Sequence, residues 1–234
     1  YTMINTDNTQ NLEEKAVENT QTQQPDENSG VYLRGHIKIF DPESGEVYID
    51  KSNAIHYENF SYALARTVAN KNATEGSFIY EMVFGNGGTS VDPTGIITYL
   101  PTNTTGLNSN LYNPTYSKIV DDTSIANLDP VNNKMTVTHI PGTIYTDILV
   151  SCLLDYGEPS GQSYSDNSQN LNSEYVFDEL GLRARSLDGT VGLTSTGLLL
   201  THVVFHPVQK PLNRLIQIDY TVRIQTLTNL SSIG

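Results

Sequence analysis

Residues 35–65, GHIKIFDPESGEVYIDKSNAIHYENFSYALA, decide the fold. From Val31 to Phe40 apolar and polar residues alternate. Val31, Leu33, Ile37 and Ile39 share one side, and Arg34, His36 and Lys38 the other, which is the period of a half-buried strand. Asp41-Pro42-Glu43-Ser44-Gly45 then reads as a turn, because Pro presets φ and Gly supplies a positive φ. The chain returns over Glu46–Lys51 with Val47 and Ile49 inward, which completes a β-hairpin. A helix follows, with Asn59 as its cap and Phe60, Ala63, Leu64, Thr67 and Val68 along one face. It is expected to stop near Asn70–Asn72. At about three turns it is the one convincing helix of the chain.

Outward from this unit the chain reads as strands. Phe78–Phe84 is apolar and is broken by Gly85-Asn86-Gly87-Gly88, and Ile96–Leu100 is a further short strand. Residues 101–117 read as a loop rich in Asn, Thr, Pro and Tyr. Lys134–Ile140 and Ile144–Tyr156 flank a Pro141-Gly142 turn, and the run ILVSCLL predicts a central strand buried on both faces. Glu174–Ala184, Leu198–His206 and Arg214–Leu227 complete the set. In the last, Ile216, Ile218, Tyr220, Val222 and Ile224 alternate with polar neighbours. Pro207 and Pro211 mark the loop before that strand. Eight or nine strands with one short α-helix predict a mainly β fold, an antiparallel β-sandwich or partly closed barrel. It occupies one domain, residues 31–234.

Residues 1–30 differ in kind. They are rich in Gln, Asn, Thr and Glu and poor in apolar residues, so alone they cannot bury enough surface to offset their ordering entropy. They read as an extended polar N-terminal arm, held by a partner chain in the favoured reading and laid against its own domain in the alternative. Residues 157–172 are a polar, Ser- and Asn-rich loop.

Composition narrows function mostly by exclusion. A net charge of −13 over 234 residues argues against nucleic-acid binding, which needs clustered Lys and Arg. No run approaches the length of a membrane span, and no stretch reads as a signal peptide. The single Cys152 excludes an internal disulfide and reads as a small buried hydrophobe.

Each candidate for chemistry reads better as structure. His202 and His206 are four apart, but on a β-branched run that spacing is about 13 Å, too far for two ligands of one metal. Gly85-Asn86-Gly87-Gly88-Thr89 lacks the Lys-Ser/Thr ending of a phosphate loop and reads as a turn requiring positive φ. Asp121, Asp122 and Asp129 lack the spacing of a calcium loop. Paired carboxylates for glycoside hydrolysis gain little support in a chain without Trp. No G-x-S-x-G elbow accompanies the Ser, His and Asp residues, and His56 reads as positioning the start of the helix. No catalytic, cofactor-binding or metal-ligating residue is assigned, and no cofactor is expected.

Three stretches carry a resemblance: residues 35–65, MVFGNGGTSVDPTGIITYLP (82–101), and ELGLRA with LLLTHVVFHPVQKPLNRLIQIDYTVRIQT within 179–226. Together they resemble a family of virion structural proteins of tailed bacteriophages, of the large contractile-tailed marine and cyanobacterial type. The resemblance implies a non-enzymatic subunit in the virion, forming an oligomeric ring or sleeve at the neck, collar or tail. Its partners would be copies of itself and other virion proteins of connector, tail or capsid, with neither nucleic acid nor membrane. It carries no functional residues. The alternative is a capsid decoration or host-carbohydrate-binding surface module, motivated by the Tyr- and Asn-rich loops at 101–117 and 157–172; a hydrolase is the third reading.

Overall fold

A computed structural model describes residues 29–69, 78–160 and 175–228. Eleven strands and one α-helix follow in the order β1 (Ser29–Phe40), β2 (Val47–Ile55), α1 (Tyr57–Val68), β3 (Ile79–Gly85), β4 (Thr89–Val91), β5 (Ile97–Tyr99), β6 (Pro114–Ile119), β7 (Lys134–His139), β8 (Tyr145–Leu154), β9 (Tyr175–Ala184), β10 (Thr201–Lys210) and β11 (Ile216–Thr228). Nine of them form one antiparallel sheet in the order β6-β3-β9-β10-β2-β1-β11-β8-β7; β4 and β5 pair separately. The sheet curls into a half-barrel, so of the two architectures anticipated the partly closed barrel is the one adopted. The extended arm expected over residues 1–30 falls almost entirely outside the described residues, as does most of the 157–172 loop.

The opening hairpin lies at the centre of the sheet. Ile39 pairs with Ile49 and Ile37 with Lys51, while β11 pairs along the other side of β1 from Ser29 to Phe40. Gly45 has φ +75° and its N–H donates to the Asp41 carbonyl, as a tight reversal requires. Leu33, Ile37 and Ile39 are buried with Ile216, Ile218, Tyr220 and Val222 from β11. The exception on this face is Val31, which is exposed beyond the core.

Curling brings the edge strand β6 to the end of β8, beyond the reach of β7, and side chains bond there where no ladder forms. The Leu153 N–H donates to Asn133 Oδ1 (2.9 Å), and the Leu153 carbonyl accepts from Lys118 Nζ of β6 (2.7 Å), whose ammonium also pairs with Glu158. Val150, Cys152 and Leu154 point into the core and are fully buried, and burial pushes the Cys152 thiol up to about 12. The opposite side of β8 is only partly covered, so ILVSCLL is not buried on both faces. Its apolar run serves an inner face and a half-shielded outer one.

Several expectations need correction. The helix starts at Tyr57, and its cap is His56, whose Nδ1 accepts from the Asn59 N–H (3.2 Å); Asn59 is instead buried, donating from Nδ2 to the Leu199 carbonyl (2.8 Å). Phe60 and Ala63 enter the core. The helix ends at Val68, capped by Ala69, and the stop anticipated at Asn70–Asn72 lies outside the described residues. Residues 114–117, taken as the end of the 101–117 loop, lie in the edge strand β6 beside β3. Pro207 does not mark an inter-strand loop: it lies inside β10, where the register with β9 shifts between Val204 and Val208. A bulge needs no ladder donor at that point, which is why a proline is tolerated.

β3 and β9 are buried on both sides. One face looks into the barrel; the other is covered by the loops 101–113 and 185–200, where Val83, Leu111 and Leu199 make a second small core. A Cβ on Gly181 would lie 2.3 Å from the Thr201 carbonyl oxygen of the neighbouring strand. Gly181→Ala is therefore expected to force β9 and β10 apart and to cost about 1–3 kcal/mol, read as a lowered denaturation midpoint at unchanged m-value.

Candidate assembly interface

The outer face of β3 and β9 carries charged residues: Glu81 lies in direct cross-strand register with Arg183, and Glu179 lies opposite Gly85. Arg183 and Glu81 are in ionic contact at 2.9 Å with side chains 1% and 0% exposed. Glu81 Oε2 accepts the Gly192 N–H (3.0 Å), and Arg183 donates to the carbonyls of Gly192 (2.8 Å) and Ser195 (3.1 Å). Burial pulls the guanidinium pKa down, against the favourable charge of Glu81. The pair thereby ties the 185–197 loop to the sheet.

Glu179 does the same for two other loops. Its Oε1 accepts the N–H groups of Gly87 (3.1 Å) and Asn113 (2.8 Å), and its Oε2 accepts the Tyr112 N–H (3.0 Å) and His202 Nε2 (3.0 Å). Burial alone would raise this carboxyl, but the donors from His202, Asn113 and Tyr112 outweigh it and hold the pKa below the usual carboxylate range. Neighbouring Asp178 accepts the N–H groups of Gly88 and Thr89 (2.9 Å each) and the Thr89 hydroxyl. There burial wins, and the carboxyl is shifted upward.

These contacts place the candidates singled out in the sequence. His202 is buried, and its Nδ1 accepts the Asn103 N–H (2.7 Å), so Nε2 is the protonated nitrogen and donates to Glu179. With both ring nitrogens engaged, the His–Glu pair has no free base position, and it is a loop staple. His206 lies on the exposed side near Tyr99 Oη (3.3 Å) and shares no partner with His202. The glycine-rich loop 85–88 has no positive φ among its glycines, contrary to the sequence reading. Glycine is needed there for close approach: a Cβ on Gly87 would sit 2.8 Å from the Asn113 nitrogen, and one on Gly88 2.9 Å from Val204. The loop amides do cradle anions, namely the chain's own Asp178 and Glu179. His56 is buried, its Nε2 lying 2.9 Å from the Gly106 carbonyl while Nδ1 caps α1.

The aspartates at 121 and 129 build a rigid loop. Asp121 Oδ1 accepts the N–H (3.0 Å) and hydroxyl (2.7 Å) of Thr123. Asn127 Nδ2 bridges the carbonyls of Asp121 (3.2 Å) and Asn133 (2.8 Å), and its Oδ1 accepts the Asp129 N–H (3.1 Å). Asn133 joins this network to β8. Asp122 is exposed. Among the described residues no group of three His, Cys, Asp or Glu could hold a metal ion.

What this fixed loop displays is apolar. Ile125 and Leu128 have relative exposures of 102% and 96%, and Val131 71%. The loop leads directly into β7, the last strand of the sheet, whose outer edge pairs with no described residue and which exposes Val137; Ile140 and Ile144 are exposed in the turn after it. No protein-family model, curated protein or solved structure matches this chain. The geometry therefore speaks for itself: an ordered, hydrogen-bonded loop holds large apolar side chains in water beside an open strand edge. Exposed apolar groups and an unpaired strand edge are features that invite association.

The sequence had drawn attention to the face bearing Arg34, His36 and Lys38. Arg34 and His36 are exposed there; His36 pairs with Asp50 (2.8 Å), and Arg34 and Lys38 lie over the rings of Tyr32 and Phe40. The staples Glu81, Arg183, Asp178 and Glu179 were not singled out. Their signal was present in EMVF and DELGLRA, where charged residues interrupt strands otherwise apolar enough to be buried.

Proposed function

We propose that this chain is a non-enzymatic structural subunit that works by oligomerising, in the virion of a tailed bacteriophage at the neck, collar or tail. The observation that carries the assembly reading is the stapled 121–133 loop with Ile125 and Leu128 fully exposed beside the open edge of β7. An interface needs such groups held in place before contact, because ordering them on association would cost side-chain and loop entropy. The virion assignment rests on the resemblance of residues 35–65, 82–101 and 179–226. The occupied ring nitrogens of His202 and His56 favour structure over catalysis at the two buried histidines.

The double substitution Ile125→Asp, Leu128→Asp tests the interface. Neither side chain is in the core, so the far-UV spectrum and the melting temperature should stay within a few degrees of wild type. Sedimentation velocity should show the assembled fraction reduced at least tenfold. A wild-type chain that is monomeric at every concentration, or an assembly unaffected by the two charges, would remove the support.

A further inference from the structure

The sheet is continuous in strand order but not in hydrogen bonding. β2 and β10 are neighbours, yet they pair only at Ile55 with Thr201 and Ala54 with His202. Beyond that point β10 follows β9 through the bulge at Val204–Val208, and the β2 segment 47–53 keeps no partner strand on that side among the described residues. Between them lies an open groove of about 800 Å³, continuous through Ile49 and His206 with a further 360 Å³. Tyr48, Ile49 and Lys51 form one wall, the β10 bulge another, and Ile97 and Tyr99 of the β4–β5 hairpin a third. Lys51 Nζ spans the gap to the Val204 carbonyl (2.9 Å).

Charge makes the groove selective. The chain carries a net charge of −13, yet no Asp or Glu lines either part of the groove, while the cations Lys51 and Arg214 do. Asp41 meets part of the field of Arg214, its carboxyl being lowered first by the Glu43 N–H and in smaller part by that guanidinium. Two diverging strand edges with apolar side walls suit an extended peptide, which can hydrogen-bond to a strand edge by β-addition. The positive lining suits an acidic one.

The chain supplies such a peptide. Residues 1–28 hold six carboxylates (Asp7, Glu13, Glu14, Glu18, Asp26 and Glu27) against one Lys15, together with Ile4, Leu12 and Val17. We infer that the groove between β2 and β10 receives residues 1–28 of a neighbouring copy, in extended form, with its carboxylates against Lys51 and Arg214. Direction argues for a neighbour rather than the same chain. β1 runs from Ser29 towards Phe40, and Ile39 pairs with Ile49, so the groove lies at the end of β1 opposite Ser29, and a strap seated in its own chain's groove would have to double back along the sheet where a neighbour's would not. Twenty-eight residues reach at most about 90 Å, enough to cross to an adjacent subunit. This deepens the assembly reading and rests on it: the segment becomes the strap and the groove its receptor.

The test uses the full chain, mixed from unlabelled and ¹⁵N-labelled preparations and treated with a zero-length carbodiimide that joins carboxylates to amines. Mass spectrometry should find Lys51 joined to an acidic residue of the 1–28 segment in mixed-label peptides, and 0.5 M salt during mixing should cut their yield several-fold, since exposed charges are screened within a few ångströms at that strength. Assembly by sedimentation without such peptides would overturn the inference and leave the assembly reading standing. Same-label peptides alone from a monomeric chain would overturn both.

Discussion

Arg183→Leu is expected to lower the unfolding free energy by about 3–5 kcal/mol, because it leaves Glu81 charged, buried and without its counter-ion. The two side chains are 1% and 0% exposed, so water cannot take over the lost contact. The carbonyls of Gly192 and Ser195 lose their donors at the same time, and the 185–197 loop should loosen before the barrel does. Urea denaturation gives the size of the loss, and hydrogen exchange at Gly192, whose N–H is bound to Glu81, gives its location. A change below about 1 kcal/mol would mean that Glu81 is protonated or hydrated in the variant and that the pair is not an essential tie. Replacing both residues together, Glu81→Met with Arg183→Leu, should recover much of the loss, since an apolar pair of similar volume leaves no buried charge.

The second large effect is expected at Glu179. Glu179→Ala leaves four donors without an acceptor: the N–H groups of Gly87, Tyr112 and Asn113, and His202 Nε2. At about 1–3 kcal/mol for each buried donor left unpaired, a loss of at least about 3 kcal/mol is expected even after local relaxation. Two loops separated in sequence, 85–89 and 101–113, should be released together, visible as joint acceleration of amide exchange at Gly87, Tyr112 and Asn113. The pH dependence has a definite sign. The folded pKa of Glu179 lies below its unfolded value, so its contribution is complete above the unfolded pKa and is lost as pH falls through the folded one. The stability gap between wild type and Glu179→Ala should therefore narrow on acidification. Asp178 works in the opposite sense, because its raised pKa makes protonation favourable on folding. A gap that stays constant down to pH 3 would show that Glu179 is not the ionised acceptor of these bonds.

Both predictions concern residues whose importance was only partly legible in the sequence. ELGLR reads as a strand from its period, and β9 is there; that Glu179 and Arg183 face loops rather than solvent depends on segments far along the chain folding over them. The same holds for the candidate interface. Asp121 and Asp129 stood out as charges, but their role as loop staples appeared only with Thr123, Asn127 and Asn133 placed around them.

By itself the sequence determined the central hairpin, the helix after it, the inward residues of β11 and the mainly β class. All of these follow from local periodicity and turn chemistry, which a chain segment carries without knowing its neighbours. The tertiary structure decided that the sheet curls to a half-barrel with a side-chain seam at Leu153, that β2 and β10 part below Ile55, and that Ile125 and Leu128 face water. Those outcomes depend on non-local pairing and on which strand ends find a partner. No alternation within a strand encodes that choice, because a residue pointing away from the core looks the same in sequence whether a loop, a neighbouring subunit or water covers it.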